Sequence, residues 1–340
     1  MYTCNSTSGT STLTTDCATC TYYVLVVAGG GGGGGTAGLS YTAGGGGAGG
    51  FLTGNFTGIG TFSVTVGSGG AGAIGNVYGA NGTASSISGT KLNLTATGGG
   101  GGGASPLVAA DGAAQPGGSG GGTAANGNGG LGSPAIKGGS AIMDPTGIIQ
   151  GYAGGSFGWS KSAITPDMYS AAGGGGASMA GDCGRCLNSS SYSTSCVSGD
   201  QVGCAGTAAQ SMAPRGGAGG VGSTWSPYTG NSIYYAGGGG GGAYIANTTN
   251  AYSSYASVGG SCTNGGGGTG GATQGCVSQA SGGAATYYGG GGGGAAGKSA
   301  CSGSTAMNGG AGFQGIVLIA YVLPVRNNMP ACDAPGLTQR

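Results

Sequence analysis

Thr21-Tyr22-Tyr23-Val24-Leu25-Val26-Val27-Ala28 runs straight into Gly29 to Gly35, and the two halves of that stretch demand different structures. The β-branched and aromatic half reads as a fully buried strand, by length and residue type. The glycine half has no side chain to pack. It cannot form an amphipathic helix and loses more backbone freedom on ordering than any other residue type. Further blocks stand at Gly98–Gly103, Gly237–Gly242 and Gly289–Gly294, among 94 glycines in 340 residues. Such blocks are either loose linker or packed polyglycine, and that choice decides the fold.

Composition favours packing. Flexible linkers are almost free of aromatics and cysteine, whereas this chain has 17 Tyr, 2 Trp, 5 Phe and 11 Cys. Disorder usually travels with high net charge, yet only 4% of residues are charged and the formal net charge is +1. A loose chain this neutral would associate or precipitate. The Lys and Arg residues are scattered singly, so no nucleic-acid partner is expected. The longest apolar stretch, Gly315–Val325, is about half the length of a spanning helix, so no membrane insertion is expected either. Met1 to Cys20 is polar and does not read as a secretory signal peptide.

Working outward from the first strand, Gly315 to Val322 has the same buried character near the other end. Thr61–Val66 alternates at period two, Lys91–Thr97 is a further strand candidate, and Ser85–Ser88 a short one before it. Between Gly98 and Gly312 no helical period is sustained, and no long α-helix is expected. The glycine blocks suit polyproline-II-type helices, with about three residues per turn and about 3.1 Å rise. Those helices have no internal hydrogen bonds. Their N–H and C=O groups must therefore bond to neighbouring helices, which glycine permits because backbones can touch.

These motifs fall in a fixed order: Val26-Val27-Ala28 before seven glycines, Gly44-Gly45-Gly46-Gly47-Ala48-Gly49-Gly50-Phe51, Val64-Thr65-Val66-Gly67, Ala96-Thr97-Gly98, and Gly315-Ile316-Val317-Leu318-Ile319. In that order the chain resembles the glycine-rich domain family over roughly residues 22 to 322. That family takes in phage tail-fibre adhesin tips and the extracellular glycine-rich region of anaplastic lymphoma kinase. The resemblance implies an all-β fold: a small β-sandwich with an inserted bundle of polyglycine, polyproline-II-type helices, whose connecting loops form the working surface. The organisation then expected is a Cys-containing tail over 1–21 and a glycine-rich domain over 22–322. Sandwich strands would lie in 22–97 and 313–322, the bundle in 98–312, and a C-terminal tail in 323–340.

The cysteines are Cys4, Cys17, Cys20, Cys183, Cys186, Cys196, Cys204, Cys262, Cys276, Cys301 and Cys332. Cys17-Ala18-Thr19-Cys20 and Cys183-Gly184-Arg185-Cys186 have the spacing to offer four thiolates to zinc. The chain contains no His, however, and neither pair sits in a zinc-ribbon turn. Disulfides in a secreted, core-poor chain are the expected reading, and no metal or other cofactor is expected. Eleven is odd, which leaves one thiol free or paired between chains. Cys4, Cys17, Cys20 and Cys332, near the ends, are the candidates for crosslinking neighbouring copies. N-glycosylation sequons begin at Asn5, Asn55, Asn81, Asn93, Asn188 and Asn247, and Asn93 is the weakest because it falls in an expected strand.

No catalytic residue is expected. The chain has no His and no Glu, and its seven acids are isolated aspartates, so a nucleophile would lack the usual base or a paired carboxylate. Gly292 to Ser299 formally matches the G-x-x-x-x-G-K-S phosphate loop, but polyglycine satisfies the spacing automatically and Cys301-Ser302-Gly303-Ser304 is no helix start. Among the aromatics, Tyr22-Tyr23, Tyr234-Tyr235 and Tyr287-Tyr288 are expected to cap the bundle and pack it onto the sandwich. Trp159, Trp225, Tyr228, Tyr252 and Tyr255 in the connecting segments are candidate binding-loop residues for sugar or protein.

The function these features point to is that of a secreted, extracellular or cell-surface structural protein. It would assemble head-to-tail with copies of itself into a fibre, filament or coat. An adhesin tip that recognises a glycan or surface receptor through the aromatic loops is the alternative. An ice-binding polyproline-II bundle is a third.

Overall fold

A computed structural model describes residues 2–7, 9–36, 42–104, 113–124, 148–156, 168–187, 213–226, 233–245, 265–274, 281–297 and 306–322. Every regular element among them is a strand, so the fold is all-β. The strands are β1 (Tyr2–Cys4), β2 (Thr10–Thr15), β3 (Thr21–Val27), β4 (Phe51–Thr57), β5 (Gly60–Thr65), β6 (Ser85–Gly89) and β7 (Asn93–Ala96). Then come β8 (Met168–Ser170), β9 (Arg185–Leu187), β10 (Ala213–Arg215), β11 (Ser223–Trp225), β12 (Ile233–Tyr235), β13 (Ala243–Ile245), β14 (Ala272–Gln274) and β15 (Ile316–Val322). No helix among the described residues is long and apolar enough to cross a membrane.

Two antiparallel four-stranded sheets carry the core, one in the order β1-β15-β3-β4 and the other in the order β2-β5-β6-β7. The first brings the chain ends together, with Val24 opposite Ile319 and Val26 opposite Val317. Its two central strands are continuous apolar runs because both of their faces are covered. On one face Tyr22, Val24, Val26, Val317 and Ile319 share an apolar cluster with Phe62, Val64, Ile87 and Ala96 of the second sheet. On the other, Leu25, Val27, Ile316 and Leu318 meet Ala48, Tyr235 and Ala236 from the glycine-rich segments. The second sheet alternates instead. Phe62 and Val64 point inward, while Thr61 and Ser63 face solvent.

The N-terminal residues are not a free tail, which corrects the expectation for 1–21. β1 pairs with β15, and β2 pairs with β5 along its whole length. Buried Thr15 fastens β2 to the turn that leads from β4 in the first sheet to β5 in the second: its Oγ1 accepts the Gly60 N–H at 2.8 Å and donates to the Gly58 carbonyl at 3.1 Å. Gly58 makes that turn at φ +92°, a conformation that disfavours any side chain.

The glycine-rich segments are extended and lie outside any strand or helix, and their hydrogen bonds repeat every third residue. In 28–36, the N–H groups of Gly29, Gly32 and Gly35 donate to the carbonyls of Thr83, Ala80 and Val77. Those of Gly30, Gly33 and Thr36 donate to Phe313, Gly310 and Met307, and those of Ala28, Gly31 and Gly34 to Gly50, Gly47 and Gly44. All are 2.8–3.2 Å long. The carbonyls of the same segment accept in the same rhythm: Gly30 and Gly33 from Gly70 and Ala73, Gly29 and Gly32 from Gly99 and Gly102, Gly31 and Gly34 from Gly292 and Ala295. Segment 42–50 repeats the pattern toward 289–295, 97–103 and 172–175. The array therefore begins directly after β3, within the range expected to hold only sandwich strands.

Such lateral bonding leaves no room for a Cβ. A methyl added at Gly31 would overlap the Gly100 carbonyl, one at Gly46 the Gly31 carbonyl, and one at Gly291 the Gly46 carbonyl. The outer segments show the same period in their exposure. In 67–75, residues Gly67, Gly70 and Ala73 are buried, while Ser68, Ala71 and Ile74 are exposed. Where a backbone partner is missing, a side-chain amide takes its place. Asn81 Oδ1 accepts the Gly101 N–H at 2.8 Å, and Gln150 Oε1 accepts the Thr97 N–H at 2.7 Å.

Candidate functional site

Cys17 and Cys20 form a disulfide with each other, as the disulfide reading expects; neither is therefore a crosslink to a neighbouring copy, which corrects that expectation for the pair. Cys183 is also disulfide-bonded. Cys4 is the free cysteine among the described residues; it lies half-buried on β1, and burial raises its thiol pKa. The side chains of Cys186, Cys196, Cys204, Cys262, Cys276, Cys301 and Cys332 lie outside the described residues. Among those described, no group of three or more metal-ligating side chains comes together. Because the Cys17–Cys20 bridge closes a loop of only four residues, its removal as Cys17→Ser/Cys20→Ser is expected to lower unfolding free energy by about 2 kcal/mol. Denaturant titration checks this.

The phosphate-loop match is filled by the array itself. A phosphate cradle needs free backbone N–H groups, yet those of Gly292, Gly293, Gly294 and Ala295 donate to Gly31, Gly283, Gly240 and Gly34. Lys298 and Ser299 lie outside the described residues.

The tyrosines before the glycine blocks meet the first sheet. Tyr235 is buried among Leu25, Val27, Ile316 and Leu318, with Trp225, Tyr287 and Tyr288 packed at its rim. Ring centroids of Tyr235 and Tyr287 are 5.6 Å apart, those of Tyr287 and Tyr288 5.2 Å, and those of Tyr288 and Phe313 5.5 Å. Burial first, then the neighbouring Tyr287 and Tyr288 and a side-chain hydrogen bond to Tyr287, push the Tyr235 phenol up to about 12. The fold thus favours the protonated phenol. Its contribution is intact below about pH 10, where a free tyrosine titrates, and is lost as pH rises from there to about 12. Absorbance titration of phenolate should show this tyrosine ionising last, and stability should fall through that window.

Trp225, a candidate binding residue, is half-buried against this cluster. Trp159, Tyr228, Tyr252 and Tyr255 lie outside the described residues. Of the sequons, Asn5, Asn55, Asn81 and Asn93 are exposed, Asn93 as the first residue of β7 at a sheet edge, while Asn188 and Asn247 lie outside the described residues. The apolar exposure that sequence reasoning missed is a turn at the end of the array away from the sheets. Ile74 is 80% exposed there, with Val77 and Tyr78 beside it. Its signal was the step from Gly/Ala to Ile74 and Val77-Tyr78 inside a glycine-rich stretch.

A family model described as glycine-rich domain matches residues 5–322. The chain belongs to the glycine-rich domain family. No curated protein matches it. The glycine-rich domain includes β2 as well as β3 and β15, in keeping with a first strand that the sheet requires.

Proposed function

We propose that this glycine-rich domain protein is an extracellular structural protein whose copies assemble into a fibre, filament or coat. In this reading the two four-stranded sheets form a small β-sandwich, and the glycine segments form a bundle of polyglycine helices. The observation that carries it is the third-residue repeat of N–H donation in 28–36 and 42–50, which matches three residues per turn. At about 3.1 Å per residue, a nine-residue segment spans roughly 28 Å. One such helix has no internal hydrogen bonds and is floppy alone. Bonded on every side, it becomes a stiff rod.

A stiff body suits a load-bearing or surface-covering role. The only charged side chains in the described residues are Asp16, Lys91, Asp182, Arg185 and Arg215. So little repulsion favours close association. The disulfides at Cys17–Cys20 and Cys183 fit an oxidising compartment, which supports secretion. Negative-stain electron microscopy of the full chain without reductant should show regular filaments or sheets. Discrete monomers at high concentration would overturn the reading.

The second reading, an adhesin tip, is favoured by the exposed Ile74, Val77 and Tyr78 turn. If it holds, binding to glycan arrays or to cells should be lost in Ile74→Asp with the fold retained.

A further inference from the structure

The two stacked sheets have four edge strands, β1 and β4 in one and β2 and β7 in the other. An edge strand offers a row of unpaired backbone groups to another chain, and proteins blunt it by shortness, charge, proline, bulges or cover. Three of the four are dealt with. β1 has only three residues. β4 and β7 close on one another, with Leu92 and Leu94 of the β6–β7 hairpin packed at Gly54, and Lys91 Nζ donates to the Thr57 carbonyl at 2.9 Å across the end of β4.

β2 has none of these devices. Thr10-Ser11-Thr12-Leu13-Thr14-Thr15 is six residues long and contains no charge, glycine or proline. Among the described residues it pairs with β5 on one side only, and Thr10, Ser11, Thr12 and Thr14 are exposed. The apolar core is also open on this side. Leu13 is only partly buried at its rim, as are Tyr2, Cys4 and Cys17.

We propose that β2 is the contact through which two copies of this chain join, by antiparallel pairing of β2 with β2 of a second copy. The two β2-β5-β6-β7 sheets then become one continuous eight-stranded sheet. The occupant is a second copy because the strand complements itself. Thr faces Thr across the junction, a pairing that sheets favour, and no charge opposes it. Each Leu13 also arrives beside the open rim of the other core and closes it. This contact rests on the assembly reading above and supplies the twofold unit from which the assembly is built.

The test places a charge at Thr12, which is exposed and lies opposite the exposed Ser63 of β5. Twofold pairing sets the residues at this position opposite or diagonal to each other, so like charges repel. Sedimentation velocity of the full chain should show wild type associating. Thr12→Lys and Thr12→Asp alone should each dissociate at least about tenfold more readily, with circular dichroism and melting unchanged. An equimolar mixture of the two should restore association. Variants that associate like wild type would overturn the β2 contact and leave assembly standing. So would weakened association that the mixture does not restore. A wild type that stays monomeric at every concentration would overturn both.

Discussion

Gly46→Ala is expected to destabilise the protein by about 4–6 kcal/mol, enough to abolish folding if total stability lies at the low end of the usual range for a domain. The added methyl overlaps the carbonyl of Gly31 and presses on that of Gly32, which are backbone atoms held in place by their own bonds. Relief requires 42–50 to move away from 28–36, and that breaks the bonds Ala28 to Gly50, Gly31 to Gly47 and Gly34 to Gly44. Each is worth about 1 kcal/mol net, and the overpacking adds about 1–3 kcal/mol. The matched control is Ala71→Ser, at an exposed position of an outer segment, which should change stability by less than about 0.5 kcal/mol. Denaturant midpoints or soluble yield compare the two. Equal stabilities would mean that the glycine segments do not pack as described.

Phe62→Ala should lose about 3–5 kcal/mol for a different reason. Phe62 is 1% exposed at the centre of the cluster shared by both sheets, with its ring centroid 4.5 Å from that of Phe56. Gly60 and Gly89 flank the ring so closely that a Cβ on either would press into it. Neither neighbour has a side chain to swing into the hole, and the cavity stays open. Phe62→Leu, which retains most of the volume, should lose less than half as much. Thermal unfolding of the pair separates the cavity from any effect on the strand. Equal losses would place the contribution in the strand rather than in the ring.

What the sequence made legible followed apolar density. β3 and β15 were readable as buried runs, and β5, β6 and β7 were found within a residue or two of their observed bounds, because hydrophobic side chains mark them. β4 was missed: its inward positions read Leu52, Gly54, Phe56, and the glycine that admits Leu92 and Leu94 also erased the alternation. β1 and β2 were read as tail because three residues carry no period and Thr10–Thr15 holds a single apolar side chain. The glycine array was legible in kind but not in arrangement. Identical residues carry no register, so nothing in Gly29–Gly35 tells that Gly31 bonds Gly47 while Gly32 bonds Ala80. The Cys17–Cys20 bridge was one of several pairings the spacing allowed.

The outward side chains of the outer segments have a consequence of their own. Among the described residues most lattice sites inside the array are glycine or alanine, with small Ser119, Thr123 and Thr36 among the exceptions, so in principle the packing could continue indefinitely, as in a crystal of polyglycine. It stops where Ser68, Ala71 and Ile74, Val77, Ala80 and Thr83, Ser281 and Ala284, and Asn308 and Ala311 face out. At each of these a Cβ holds the next backbone beyond hydrogen-bonding distance. The protein is in this respect a crystallite with its growth faces poisoned, and its width is written into the sequence by the residues that are not glycine.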